Sequence, residues 1–144
     1  MSLFEATRRR RLRVLFVCFA NACRSRMAEG FANEYAPNLL VAESAGLQPA
    51  SRVSRRTVAV MAERGIALDS HVPRPVDGLD LDSFDLIVNM SGRALPPCRA
   101  RVLPVPLPDP GRGDANLHRQ VRDSVDRIVR TLVIKLQTAR EMAA

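Results

Sequence analysis

The tightest constraint on this chain is a seven-residue run at 12–18, Leu-Arg-Val-Leu-Phe-Val-Cys. Its β-branched and aromatic content suits a buried strand, and it ends at a cysteine. Five residues later, Arg24 and Ser25 open a segment in which Met27, Ala28, Phe31 and Ala32 recur at helical spacing, with Pro37 just past its end. The alternation then repeats. Residues 39–43 predict a second strand, closed by Ser44, Ala45 and Gly46. Residues 51–65 predict a second helix with Val53, Thr57, Val60 and Met61 inward. Residues 84–90 predict a third strand, followed by a short helix. Residues 101–106 predict a fourth strand, at a sheet edge because it contains Pro104. Residues 116–142 predict a long helix with Val121, Val125, Ile128, Val129, Leu132 and Leu136 inward. The expected fold is α/β: a single three-layer domain whose four-stranded parallel sheet is flanked by helices on both faces, with an anion-binding loop after the first strand. In such sheets ligands bind beyond the carboxyl ends of the strands, and Cys18 stands at such an end.

Composition narrows the class. The 144 residues are 47% hydrophobic, enough for one domain with a core and too apolar for a disordered chain. Three cysteines are too few, and odd in number, for a disulfide scaffold. No apolar run approaches the roughly 20 residues that span a bilayer, so a cytoplasmic protein without a membrane partner is expected. The net charge is +7, and Lys135 is the one lysine among 22 basic residues. Arginine favours anionic partners, either nucleic acid or a small oxyanion, although an arginine bias across a whole proteome gives the same count. Arg8, Arg9, Arg10, Arg11 and Arg13 crowd ahead of the core, and the remainder is nearly balanced. Residues 1–11 therefore read as a mobile basic tail and 12–144 as the domain. No aromatic residues interleave with the tail, which argues against nucleic-acid binding. The start of the chain also imitates a secretion signal, with basic residues, an apolar stretch and Ala20-Asn21-Ala22. That stretch is short, Arg13 stands at its head, and cleavage would remove the first strand.

The loop from Cys18 to Arg24 suits an oxyanion. Its backbone N–H groups and those of the first helical turn can converge on one point, and Arg24 adds a planar fork. The same positive field favours a thiolate at Cys18, placed beneath a bound tetrahedral anion to attack its central atom. The loop has no Gly-Lys-Ser/Thr. Cys18 and Cys23 lack a second pair or a nearby histidine for zinc. No metal or organic cofactor is expected. Pro108-Asp109-Pro110 is either a turn or a restrained acid reaching the loop from another segment.

The segment Val17-Cys18-Phe19-Ala20-Asn21-Ala22-Cys23-Arg24-Ser25, with Met27-Ala28-Glu29 after it, resembles the low-molecular-weight protein tyrosine phosphatases and the related thioredoxin-linked arsenate reductases. The resemblance continues through Ser44-Ala45-Gly46, Phe84-Asp85-Leu86-Ile87-Val88 and Pro108-Asp109-Pro110. It implies Cys18 as nucleophile, Arg24 as binder of the transition-state oxygens, and Asp109 as general acid and then base. Phosphate would be held by Phe19, Ala20, Asn21, Ala22, Cys23, Arg24 and Ser25, with Ser25 bonded to the thiolate and Asn21 shaping the loop. The implied activity is hydrolysis of phosphotyrosine-like aryl phosphates through a phosphocysteine, on a phosphorylated protein or a small aryl phosphate. The alternatives are arsenate reduction with a low-molecular-weight thiol or thioredoxin-type reductant, and a phosphate-binding regulatory module without turnover.

The departures from the family pattern are informative. Ala20 stands where the family has glycine, and a Cβ there strains the cradle if the position needs a positive φ. Gly111-Arg112-Gly113-Asp114 occupies the place of the substrate-sandwiching aromatics. Phe19 is left to supply an apolar wall, and Arg112 to attract a second anionic group. Cys98 fits the last position of the reductases' cysteine relay, but Ser91 fills the middle one. Cys23 is either a packing residue or a protective disulfide partner for Cys18. Some reductases hold potassium. Asn21, Glu29 and Ser44 match that site, while Ala67 stands where it has an aspartate. His71 reads as a structural loop residue and His118 as a solvated helix residue.

Overall fold

The computed structural model describes residues 10–68 and 72–143. Most of the expected tail (residues 1–9) and His71 lie outside the described residues. The elements are β1 (Leu12–Cys18), α1 (Arg24–Tyr35), β2 (Leu40–Gly46), α2 (Arg55–Ala62), a 3-10 turn (Leu81–Ser83), β3 (Leu86–Asn89), β4 (Val102–Pro104) and α3 (Ala115–Ala143). The strands form one parallel sheet in the order β2-β1-β3-β4. The bounds of β1 and α1 fall where the pattern predicts. β4 is the edge strand, with Val102 and Leu103 exposed, as Pro104 requires. Among the described residues no helix is long and apolar enough to cross a membrane.

The alternation of β1 divides the core. Val14, Phe16 and Cys18 join Met27 and Phe31 of α1, Val60 and Met61 of α2, and Val121, Val125 and Val129 of α3 on one face. Leu15 and Val17 pack on the other face with Val76, Leu81, Phe84 and Ile87. Helical cover is thus unequal: the three α-helices share one face, and the 3-10 turn with its loops covers the other.

Besides β2, which runs on through the expected closing residues Ser44, Ala45 and Gly46, two elements and one side chain differ from expectation. The second helix begins at Arg55 rather than residue 51. Ser54 caps it, accepting from the Thr57 N–H at 3.4 Å, and the N–H groups of Ala50 and Ser54 are drawn off to the Cys18 loop. The expected short helix between the third and fourth strands is absent. That segment carries Pro96 and Pro97, and its one nearby helical turn lies ahead of β3. His118 is fully buried rather than solvated, its Nδ1 2.9 Å from the Asp114 carbonyl. It leads the buried row continued by Val121, Arg122, Val125, Asp126 and Val129. Within the expected tail, Arg10 reaches Asp85 at 3.3 Å.

A polar knot joins α1 to α3. Tyr35 Oη donates to Asp126 Oδ1 at 2.6 Å, Arg130 Nε to the same oxygen at 2.9 Å, and Arg64 Nη1 to Oδ2 at 3.1 Å. Burial by itself raises the Asp126 carboxyl, but the hydrogen bonds from Tyr35 and Arg130, with the charges of Arg130 and Arg64, outweigh it and hold the group below the usual carboxylate range. A lowered folded value stabilises above the unfolded value of about 4 and is lost as pH falls through the folded one. Asp126→Asn is therefore expected to cost about 2 kcal/mol in urea unfolding at pH 7. The gap from wild type should narrow steadily below about pH 4. A gap that stayed constant with pH would locate the loss in packing instead of charge.

Candidate active site

β1 is flanked by β2 and β3, so Cys18 emerges at the carboxyl edge between strands whose connections run in opposite directions. Residues 19–23 then turn the chain into α1. Three of their carbonyls are claimed from outside: the N–H groups of Gln48, Ala50 and Ser54 donate to the oxygens of Phe19, Ala20 and Ala22 at 2.8, 2.9 and 3.1 Å. Among the described residues no amide of 19–25 donates to a backbone carbonyl. A loop with three carbonyls turned outward to distant amides and its own amides available, running into a helix start, suits an anion.

Asn21 carries the unusual backbone of this loop, with φ 51°. Asparagine visits the left-handed region at low cost. Ala20 does not have a positive φ, so the expected strain of a Cβ there does not arise. Asn21 is fully buried and braces the loop: Nδ2 donates to Ser25 Oγ at 2.8 Å, and Oδ1 accepts from the Arg74 N–H at 3.1 Å. Ser25 Oγ lies 3.0 Å from Cys18 Sγ. Because Ser25 already accepts from Asn21, its own proton can be donated to the sulfur. The glycine that matters is Gly46, opposite Cys18 in the β1–β2 register. A Cβ on Gly46 would stand 2.7 Å from Asn21 N and 2.8 Å from Phe19 O.

A cavity of about 330 Å³ opens over the loop. It is lined by Cys18, Ala20, Ala22, Cys23 and Arg24 from the loop, by residues 52–55 ahead of and at the start of α2, and by Asp109 and Gly111. The main residues expected from sequence therefore converge. Arg24 is only 4% exposed. Its Nη1 donates to the carbonyls of Met90 (3.1 Å) and Leu107 (2.9 Å), and its Nη2 is 3.6 Å from Asp109 Oδ2. Its buried Nε has no acceptor among the described residues. Such an orphan costs about 1–3 kcal/mol, and an oxyanion in the cavity would satisfy it. Asp109 is half exposed and accepts from the Gly111 N–H at 2.9 Å. Its loop is pinned to α2 by Arg56, whose Nη1 donates to the carbonyls of Arg112 (3.2 Å) and Gly113 (2.7 Å).

Other expected residues stand elsewhere. Phe19 does not line the cavity; Arg93 covers its ring, 4.7 Å from the centroid, so Val53 supplies the apolar wall instead. Cys23 lines the cavity and is buried. Burial pushes its thiol up, with the hydroxyls of Thr57 and Ser54 offsetting only part of this. Cys98 packs against the sheet face opposite to that of Cys18. Ser91 serves as a turn brace, its Oγ donating to Asn89 Oδ1 at 2.6 Å. A potassium site does not fit. Glu29 Oε2 accepts from Ser44, but Oε1 takes the fully buried Arg26 at 3.1 Å, and Ala67 offers no side-chain oxygen. Arg52, Val53, Ser54, Arg55 and Arg56 were not singled out from sequence as site residues, because their helical pattern hides where the helix starts. The sequence signal for Gly46 was the glycine closing the second strand.

Known proteins share this architecture. A glutaredoxin arsenate reductase of Synechocystis sp. is 33% identical over 129 residues, covering 86% of this chain and 98% of that protein. The crystal structure of an arsenate reductase from Archaeoglobus fulgidus aligns with TM-score 0.77 at 37% identity, covering 83% of this chain and 98% of that one. A low molecular weight protein tyrosine phosphatase from Bacillus subtilis aligns with TM-score 0.75 at 26% identity, covering 90% of this chain and 99% of that one. Residues 13–142 match the description "low molecular weight phosphotyrosine protein phosphatase". With that match running from β1 to the end of α3, the chain belongs to the low molecular weight phosphotyrosine protein phosphatase family.

Proposed function

We propose that this chain is a phosphomonoesterase that works through a phosphocysteine. Cys18 attacks phosphorus. The amides of 19–25 and the Arg24 fork take the three non-bridging oxygens, whose charge is spread in the transition state. Asp109 gives its proton to the leaving oxygen and then takes one from the water that releases phosphate. Ser25 steadies the thiolate as it departs. Three unpaired cysteines suit a reducing compartment, in keeping with work in the cytoplasm.

The observation that carries this reading is the placement of Asp109. Its carboxylate shares the cavity with Cys18 and meets Arg24 at 3.6 Å, whereas Cys98 packs against the other sheet face. An acid over the nucleophile serves ester cleavage, and an internal cysteine relay has no second thiol there except the buried Cys23.

The relatives' names favour a second reading, arsenate reduction. Cys18 would bind arsenic and expel water. An external thiolate would then attack Cys18 Sγ, and the S–As electron pair would leave with arsenite. A second thiol would resolve the mixed disulfide.

The deciding experiment compares p-nitrophenyl phosphate hydrolysis with arsenate-dependent thiol oxidation in wild type, Asp109→Asn and Cys98→Ser. Hydrolysis is expected, with kcat falling about 10²–10³-fold in Asp109→Asn and holding in Cys98→Ser. Absent hydrolysis, with arsenate turnover indifferent to Asp109→Asn, would overturn the phosphatase reading.

A further inference from the structure

The mouth of the cavity carries charge that the chemistry at Cys18 does not use. Arg52 and Arg55 line it, both exposed, and neither has an ion pair or hydrogen bond among the described residues. This is unlike Arg64, Arg119 and Arg122, whose guanidiniums are all matched to carboxylates. The one acidic residue in the lining, Asp109, already faces Arg24 and the Gly111 amide. The cavity is also roomier than a single tetrahedral oxyanion needs, and its aromatic candidate, Phe19, is outside it with a ring face covered by Arg93. An aryl ring therefore finds little to stack on, whereas a second anion finds two unmatched guanidiniums beside the oxyanion cradle.

We propose that Arg52 and Arg55 form a second anion subsite, and that the preferred substrate is a phosphomonoester with another negative charge close to its phosphoryl group. An acidic phosphopeptide and a small carboxylated phosphate ester share that chemistry. The assignment rests on the hydrolase reading for its catalytic arm and stands on binding alone for the other.

The catalytic arm compares kcat/KM for 2-carboxyphenyl phosphate against phenyl phosphate, and for a phosphotyrosine peptide flanked by glutamates against one flanked by glutamines. Wild type is expected to prefer the acidic member of a pair by about fivefold at low salt, the scale of one or two exposed ion pairs. The preference should shrink toward one at about 0.5 M salt and in Arg52→Ala/Arg55→Ala, and should survive in Arg52→Lys/Arg55→Lys. Whichever pair shows it identifies the source as peptide or small molecule. Equal rates within both pairs, or a preference that persists in the double alanine variant, would overturn the subsite. If nothing is hydrolysed the phosphatase reading fails, and calorimetry with phosphonoacetate and methylphosphonate then decides the subsite. Tighter phosphonoacetate binding to wild type, lost in the double alanine variant, upholds it; equal binding sinks it.

Discussion

Cys18→Ser is expected to lower p-nitrophenyl phosphate turnover by at least about four orders of magnitude while phosphate still binds within a few-fold of wild type. The two outcomes separate because the groups that would bind and the group that would attack are different. On the proposed reading, binding rests on the amides of 19–25, in a loop whose Phe19, Ala20 and Ala22 carbonyls are held by Gln48, Ala50 and Ser54, and on Arg24, anchored by Met90 and Leu107. None of these contacts involves the sulfur. Attack needs a strong nucleophile, and a serine hydroxyl without a strong base beside it is a far weaker one than cysteine sulfur. Steady-state kinetics with phosphate calorimetry tests both halves. Residual turnover above about one per cent would move the nucleophile elsewhere, and lost phosphate binding would mean that the loop depends on the thiol for its shape.

Gly46→Ala is expected to cost about 2–3 kcal/mol in urea unfolding and to abolish phosphate binding. One methyl group has this effect because of what it meets. The added Cβ would lie 2.7 Å from Asn21 N, 2.8 Å from Phe19 O and 2.9 Å from Ala20 C, all backbone atoms of the cradle. A flexible side chain could rotate away, but these atoms cannot move without the loop. Gly46 cannot retreat either, since its N–H donates to the Arg74 carbonyl and its own carbonyl accepts from Val76. Alanine at Gly65, where nothing lies within 4 Å but φ is 73°, is the control for backbone strain without collision. Equal stability loss in both variants, with phosphate binding intact in Gly46→Ala, would refute the steric account.

Much of the site was legible before the fold. β1 and α1 have strong short-range signals: an apolar β-branched run, then a 3.6-residue repeat closed by proline. The five-residue loop between them, starting at a cysteine and ending at an arginine, pointed to an anion. Asp109 was legible only through the resemblance, since Pro-Asp-Pro alone also describes a turn. Four features were decided by tertiary structure. α2 starts at Arg55 because the loop's carbonyls take the amides of Ala50 and Ser54, a partnership across about 30 residues. Asn21 holds the positive φ, braced by Arg74 from 53 residues away. His118 is buried by the face of α3 that meets the core. Cys98 stands on the opposite sheet face from Cys18. Periodicity and capping act within a turn or two of helix, so sequence alone could determine the strand, the helix and the loop length. Which distant amide meets which carbonyl depends on how the packed layers bring those segments together, and that set the shape of the cradle and the charge at its mouth.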